Sequence, residues 1–340
     1  MRRTLSPRIA NALVGIVPTI LVTAGLLVAP VSAQEASPVP GSSPAAMAES
    51  PDPGLGDMSA GRVDLPAGWR PEGITRLGDT LFVGSLADGA IWRADAATRE
   101  GSIFVPGMRG AVAVGIEADE SNGRIWVAGG NSGEVRVYDA DSGDLLETYR
   151  FEGGFLNDLV VTPEAVYVTD SNVPQLAVIP LGPDGALPES SAATTLPLSG
   201  DLVYLEDALN ANGIVAAPAG LVLVQSATGG LFRVAPETGE TTAIDTRGAD
   251  LTFGDGLELR DQTLFVSRNQ AETITTLELD EELATAVLVR EATSDGLDIP
   301  TTLALAGDDL WIVNARFSTE ATPETEYWLS VWPGARPDGG

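Results

Sequence analysis

Residues 72–83 read Glu-Gly-Ile-Thr-Arg-Leu-Gly-Asp-Thr-Leu-Phe-Val, which is two short apolar runs separated by a tight turn at Gly78-Asp79. The same pattern returns five more times along the chain. Its first run recurs as Gly115-Ile116, Leu159-Val160-Val161, Gly213-Ile214-Val215, Gly256-Leu257 and Leu303-Ala304-Leu305. Its second run recurs as Ile125-Trp126-Val127, Val166-Tyr167-Val168, Leu221-Val222-Leu223-Val224, Leu264-Phe265-Val266 and Leu310-Trp311-Ile312-Val313. Six copies of one unit therefore make up most of the chain.

The spacing between consecutive units indicates the architecture. The units begin at Glu72, Val114, Asn157, Asn212, Asp255 and Thr301, so that 42, 43, 55, 43 and 46 residues separate them. Each unit has room for four short strands rich in β-branched and aromatic residues, and helical periodicity is nowhere sustained. A period of this length with four strands per repeat is typical of a β-propeller. We predict an all-β, six-bladed propeller with four antiparallel strands per blade.

The last unit supplies only three strands and ends near Trp332. The missing strand is found at the other end of the sequence, where residues 61–66 precede the first unit as outer strands precede the other units. We predict that this segment pairs into the last blade and closes the ring, which removes the two exposed edges of an open array.

The segments outside the repeats have their own composition. Residues 1–33 combine three arginines, a long apolar run and a small-residue cleavage site, which predicts a secretory signal peptide, with an uncleaved membrane anchor as the alternative. Residues 34–60 are rich in Pro, Ser and Ala and predict a disordered linker. The propeller is expected over residues 61–333, followed by a tail over 334–340. We therefore expect a secreted or otherwise extracytoplasmic monomer, with no membrane contact beyond that alternative anchor.

Composition excludes many kinds of chemistry. The 340 residues carry a formal net charge of −29, all 19 basic residues are arginine, and the chain contains no Lys, His or Cys. A Ser-His-Asp triad, a cysteine nucleophile and a Schiff-base lysine are therefore excluded. The negative charge also argues against nucleic acid as a partner. Acid–base chemistry would fall to carboxylates, tyrosine or a metal ion with its water, acting on a small-molecule substrate or ligand.

One repeat position carries a set of oxygen ligands. Radial repetition places the residues that open each innermost strand around one mouth of the central channel. Four of the six residues at this position carry carboxylate or amide oxygens: Glu72, Asn157, Asn212 and Asp255. Taken singly, each fits a turn residue, since Asn-Gly and Asp-Gly are common turn dipeptides. Their shared register instead predicts one divalent cation, Ca²⁺ first, with Mg²⁺, Mn²⁺ or Zn²⁺ as alternatives.

The motifs around these residues resemble those of the SMP-30/gluconolactonase/regucalcin family. They are Pro71-Glu72-Gly73, Leu156-Asn157-Asp158, Asn212-Gly213-Ile214 and Asp255-Gly256-Leu257, and the resemblance covers about residues 62–333. It implies a six-bladed propeller with a divalent cation in the channel mouth and hydrolysis of lactones or related esters. Glu72, Asn212 and Asp255 would bind the metal, Asn157 would hold a water ligand or the substrate, and Asp255 would be the catalytic base.

One departure from the family concerns substrate choice. Sugar-lactonase members carry a substrate-contacting arginine two residues before the asparagine of the third blade, and this chain has Phe155 there. We therefore expect a substrate more apolar than a sugar acid.

The ends of the second strands should ring the same mouth. Asn172, Arg268 and Arg316 fall there, and the two arginines could bind a carboxylate or a developing oxyanion. The alternative for both arginines is that they balance local acidic residues. Two functions remain open from the sequence: a metal-dependent hydrolase of the lactonase type, and a non-catalytic propeller that binds a metal or another ligand.

Overall fold

The computed structural model describes residues 61–335, which form six β-sheets arranged as the blades of a propeller. β1 (Val63–Asp64) precedes blade 1, which comprises β2 (Pro71–Leu77), β3 (Thr80–Ser85), β4 (Ile91–Asp95) and β5 (Gly101–Val105). Blade 2 comprises β6 (Ile116–Asp119), β7 (Arg124–Ala128), β8 (Glu134–Asp139) and β9 (Leu145–Arg150). Blade 3 comprises β10 (Leu156–Val161), β11 (Ala165–Asp170), β12 (Gln175–Pro180) and β13 (Thr194–Pro197).

The second half of the ring continues the pattern. Blade 4 comprises β14 (Ser199–Gly200), β15 (Ala211–Ala217), β16 (Gly220–Gln225), β17 (Gly230–Val234) and β18 (Glu240–Ala243). Blade 5 comprises β19 (Gly254–Arg260), β20 (Thr263–Arg268), β21 (Thr273–Leu279) and β22 (Ala286–Thr293). Blade 6 comprises β23 (Pro300–Ala306), β24 (Asp309–Asn314) and β25 (Trp328–Trp332), joined by β1. The prediction of an all-β, six-bladed propeller is confirmed.

Ring closure follows the predicted route. Val63 pairs with Leu329 and Asp64 with Trp328 in antiparallel register, so that β1 is the outer strand of blade 6. The Leu65 backbone N–H extends the pairing to the Tyr327 carbonyl at 2.9 Å. The two ends of the described chain are therefore joined within one sheet.

We expect a truncation to separate the closing strand from the segment before it. Deleting residues 34–60 should leave the melting temperature nearly unchanged, whereas deleting residues 34–66 should lower it by roughly 5 °C or more, because β1 and buried Val63 and Leu65 are lost. Calorimetry of the two truncated proteins measures the difference. Equal melting temperatures would mean that β1 contributes nothing to closure.

The connection between β13 and β15 adds one feature that the repeats do not predict. It supplies β14, which runs parallel to β18 as a fifth strand on the outer edge of blade 4. Two short 3₁₀ helices, Pro183–Gly185 and Ser190–Ala192, precede β13. Within residues 61–335, no helix has the length and apolar character needed to cross a lipid bilayer. The predicted signal peptide and linker lie outside the described residues.

Apolar side chains fill the interfaces between blades, and small residues let the inner strands approach closely. A side chain on Gly73, Gly115 or Gly213 would collide with the backbone of the next blade's inner strand. Each inner strand contacts the inner strands of both neighbouring blades, which closes a ring around the channel. This close approach brings one residue from every blade into a single layer.

Candidate metal centre in the channel

A β-bulge marks the predicted ligand position in most of the blades. The register of the inner strand shifts there in blades 1, 3, 4, 5 and 6, between Pro71 and Ile74 in blade 1 and at the equivalent residues of the others. Bulges bend a strand and re-aim its side chains, and they recur beside functional sites. The predicted ligands Glu72, Asn157, Asn212 and Asp255 all lie within these bulges, and all are buried.

Glu72 carries the least satisfied polar atom of this layer. It is 6% exposed, and its Oε2 has no hydrogen-bond partner among the described residues. Burial, together with the negative charges of Asp255 and Asp158, raises the pKa of Glu72 well above its ordinary value. An ionised carboxylate left unpaired in such a place is costly, so this oxygen requires either a proton or a cation.

Asp255 is held from two sides. The Asn269 side-chain nitrogen donates to Asp255 Oδ2 at 2.7 Å, and the amide of Asn212 lies within hydrogen-bonding reach of the same carboxylate. Burial raises the pKa of Asp255 above its ordinary value, while these two amides act in the opposite direction. The structure thus brings Glu72, Asn212 and Asp255 together.

Two serines fix the orientation of the asparagine amides. Asn157 Nδ2 donates to Ser171 Oγ at 3.0 Å, and Asn212 Nδ2 donates to Ser226 Oγ at 2.9 Å. Both serine hydroxyls in turn donate to the backbone of the next blade's inner strand. Since the amide nitrogens face the serines, the carbonyl oxygens face away from them and are available as ligands.

The donor set fits a hard divalent cation. Two carboxylates and two amide carbonyls supply only oxygen, which suits Ca²⁺ or Mg²⁺. Among residues 61–335, no three carboxylate-bearing residues approach closely enough to form a metal cluster by themselves. A cation here would therefore depend on Asn157 and Asn212 as well as on the acids.

The predicted rim residues occupy different environments. The backbone N–H groups of Phe155 and Asn172 both donate to Asp170 Oδ1, at 2.9 and 3.0 Å. Phe155 is half-buried two residues before Asn157, and Asn172 is exposed one residue after Ser171. Asp170 therefore ties together the two loops that border this part of the mouth.

Arg268 and Arg316 are both engaged by local acids. Arg268 pairs with Asp250 at 2.6 Å and with Glu291 at 2.9 Å. Arg316 pairs with Asp298 at 2.8 Å and donates to a backbone carbonyl as well. These contacts match the alternative that the sequence left open, in which the arginines balance neighbouring acidic residues.

The position two residues before the ligand layer forms a second ring at this mouth, occupied by Arg70, Val112, Phe155, Asn210, Phe253 and Ile299. Arg70, Phe253 and Ile299 have positive φ angles of 53°, 65° and 54°. Such angles are strained for non-glycine residues and cluster at functional sites. Arg70 is exposed and forms no ion pair within the described part of the chain. The sequence analysis did not single it out.

The channel holds a second set of carboxylates, further along the inner strands than the Glu72 layer, that the sequence analysis did not assign. A cavity of about 300 Å³ is lined there by Glu117, Asp158 and Glu258, with Arg76 and Glu120 also among its lining residues. Burial is the main cause that raises the pKa of Glu117 to about 8 and those of Asp158 and Glu258 to about 7. Asp158 also raises the pKa of Glu72 and Asp255, which links the two layers electrostatically.

Comparisons with solved structures support the architecture. The major Malassezia sympodialis allergen Mala s 1 matches with a TM-score of 0.63 and 14% identity, over 79% of this chain and 95% of the allergen. A luciferin-regenerating enzyme matches with a TM-score of 0.54 and 13% identity, over 80% and 93%. A protein from Lactobacillus plantarum matches with a TM-score of 0.52 and 17% identity, over 78% and 85%. No protein-family model and no curated protein sequence matches the chain. At these identities the likeness establishes the fold alone.

Proposed function

We propose that this protein is a divalent-metal-dependent hydrolase that opens a lactone or a related ester at the channel mouth. The observation that carries the proposal is the buried Oε2 of Glu72, which lacks a partner beside Asp255 in a layer of oxygen donors. Glu72, Asn157, Asn212 and Asp255 would hold the cation. When bound, it supplies Lewis-acid polarisation of a carbonyl oxygen.

The chain's own residues provide the proton transfer. With no His, Lys or Cys available, Asp255 is the proton acceptor for an attacking water, and Asn269 keeps its carboxylate oriented. The water oxygen bonds to the acyl carbon, the bond from that carbon to the ring or leaving oxygen breaks, and Asp255 returns the proton to that oxygen. A carboxylate with a raised pKa is suited to both halves of this exchange.

The rim favours an apolar substrate. Phe155 and Phe253 stand at equivalent positions on blades 3 and 5, and Phe253 is 41% exposed. Arg268 and Arg316 are consumed by ion pairs, which leaves Arg70 as a cation near this layer for an anionic group of the substrate. We infer an aryl or alkyl lactone or ester rather than a sugar lactone.

The second candidate function is a propeller that binds a cation or another ligand without catalysis. The same unpartnered Glu72 oxygen favours it, because a cation that only fills the channel mouth would satisfy that atom equally well. Turnover separates the two functions. A panel of lactones and aryl esters, assayed with Ca²⁺ and with EDTA, should give metal-dependent hydrolysis if the proposal is correct.

We expect Ca²⁺ to stabilise the protein through these ligands. A ligand at a hundredfold excess over its Kd stabilises the folded state by about 2.7 kcal/mol, which corresponds to roughly 5–10 °C in melting temperature. Glu72→Gln should remove most of that shift, whereas Glu164→Gln, at an exposed turn, should retain it. Thermal melts with and without Ca²⁺ measure it. An undiminished shift in Glu72→Gln would place the cation elsewhere.

A further inference from the structure

The interface between blades 1 and 2 contains a buried charge in apolar surroundings. Its core is formed by apolar side chains of both blades, including Phe82, Ile91 and Val127. Into this interface β8 inserts Arg136 and Tyr138, which are 2% and 3% exposed. Two residues apart on one strand, they lie on the same face of the sheet.

The Arg136 guanidinium is almost unpartnered. Nη2 donates to the Val112 carbonyl, while Nε and Nη1 have no hydrogen-bond partner in the described chain. No carboxylate among residues 61–335 lies within ion-pair distance. Glu134, on the same strand, is paired with Arg150 at 2.6 Å. A buried charge without a counter-ion is strongly destabilising, so this arginine requires a negative partner.

Tyr138 adds a third unpartnered polar atom to the same face. Its hydroxyl has no hydrogen-bond partner among the described residues. Arg136 opposes the rise that burial causes in the pKa of Tyr138, through its charge and because its N–H groups come within donating reach of the hydroxyl. Two N–H donors and one hydroxyl, which can donate or accept, therefore lie close together in this interface with no other partner among the described residues.

The other blades show that the fold does not need these groups. Strand pairing makes Arg136 equivalent to residues that are all uncharged: Trp92, Ala177, Phe232, Thr275 and Ser330. Tyr138 is equivalent to residues that all lack a hydroxyl: Ala94, Ile179, Val234, Leu277 and Trp332. Only blade 2 combines a cation with a hydroxyl in this layer. This points to a ligand specific to the interface between blades 1 and 2.

We propose that Arg136 and Tyr138 bind one small monovalent anion of the size of chloride between blades 1 and 2. The guanidinium offers only N–H donors and the Tyr138 hydroxyl has a proton to donate, so the ligand must accept hydrogen bonds, and one negative charge would neutralise the guanidinium. Gly89 lies against Arg136 Nη1, where a Cβ would stand only 3.1 Å away, so a large anion would not fit beside it. The segment 106–113 runs beside blade 1, where the Met108 N–H donates to the Asp88 carbonyl, and it contains Val112, to which Arg136 is bonded.

Bromide tests the site because it replaces chloride and scatters anomalously. Crystals of the full chain grown in sodium bromide should show an anomalous peak within hydrogen-bonding distance of Arg136 Nε and Tyr138 Oη. In solution, chloride or bromide should raise the melting temperature by roughly 2–4 °C over sodium gluconate at equal ionic strength. Gluconate is too large to enter this interface.

Variants separate the site from a general salt effect. Arg136→Met should abolish the halide-specific shift, and Tyr138→Phe should reduce it while keeping the packing of the ring. Arg233→Met is the matched control, because Arg233 lies on β17, the blade 4 strand equivalent to β8, and is half-buried without an ion pair in the described chain. It should keep the full shift.

The anion site can still be tested if Arg136→Met does not fold, because the bromide-grown crystal and the Tyr138→Phe variant do not depend on that variant. A water in place of the anomalous peak, with melting temperatures that follow ionic strength alone, would overturn the proposal. In that case water, rather than an anion, satisfies the buried guanidinium.

Discussion

We expect Asp255→Asn to lower the hydrolysis of a cleavable lactone or aryl ester by about 10²–10⁴-fold, the range typical of a positioned general base. Asparagine keeps an oxygen at the same place and can still contact Asn212 and Asn269, so that the layer should stay folded. It cannot take a proton from water at neutral pH. The measurement is kcat and KM at saturating Ca²⁺, and the loss should fall on kcat.

A matched control separates the lost base from the lost charge. Asp250→Asn changes an acid five residues earlier that pairs with Arg268 and is largely exposed. It should leave kcat nearly unchanged. Equal activity of Asp255→Asn and wild type would remove Asp255 from the chemistry. A wild type that binds Ca²⁺ but cleaves no ester would instead leave the non-catalytic binding propeller as the function.

The shared layer of the four candidate ligands could be predicted from the sequence because it depends on repeat register. Glu72, Asn157, Asn212 and Asp255 occupy one position of a repeat whose geometry is radially symmetric, so finding the repeat also finds their neighbours in space. Closure by residues 61–66 follows from the same counting, because one unit lacked a strand. Both inferences need only the order of the strands, which short apolar runs specify well.

The grouping of Glu117, Asp158 and Glu258 in one cavity could not be predicted from the sequence pattern. Glu117 and Glu258 each stand between two apolar residues on an inner strand, and a single polar residue there is also typical of a solvent-facing position. The available signal was their shared position in the repeat. Each lies three residues after the residue that opens the inner strand, Val114 in blade 2 and Asp255 in blade 5. A comparison of the residues at this repeat position in all six blades would have predicted that two glutamates face the same channel.

The rim arginines depended on partners that are distant in sequence. Asp250 precedes Arg268 by 18 residues, and Asp298 precedes Arg316 by the same interval. Each acid lies in the loop before the inner strand, and each arginine lies at the end of the second strand or just after it, so that only the folded hairpin brings them together. The sequence identified the residues at the rim but not whether their charges were free.

In metal-free buffer we expect the free energy of unfolding to fall by about 3–5 kcal/mol as the pH rises from about 5 to about 8. The reason lies in Glu117, Asp158 and Glu258, whose pKa values are raised to about 8, 7 and 7 from ordinary values near 4. Between the two sets of values the folded protein holds protons that the unfolded chain has released. Stability is therefore greatest on the acidic side of this window and is lost as the pH passes the folded pKa values. Glu117, Asp158 and Glu258 are only half-buried, so solvent screens their charges and the expected loss of stability is smaller than the pKa shifts alone would give.

Urea unfolding in EDTA across this pH range measures the effect. Glu117→Gln should flatten the curve, because it removes one buried titration and one repulsive neighbour of Glu258, while Thr75 Oγ1 can still donate to the amide oxygen that replaces Oε2. The control is Glu120→Gln, which changes an exposed glutamate at the rim of the same cavity and should leave the pH dependence as in wild type. Two results would contradict this prediction: stability of the wild type that rises between pH 5 and 8, or a pH dependence of equal slope in wild type and Glu117→Gln. Either result would show that the channel carboxylates are ionised and solvated in the folded protein. The channel carboxylates would then need no bound cation at physiological pH.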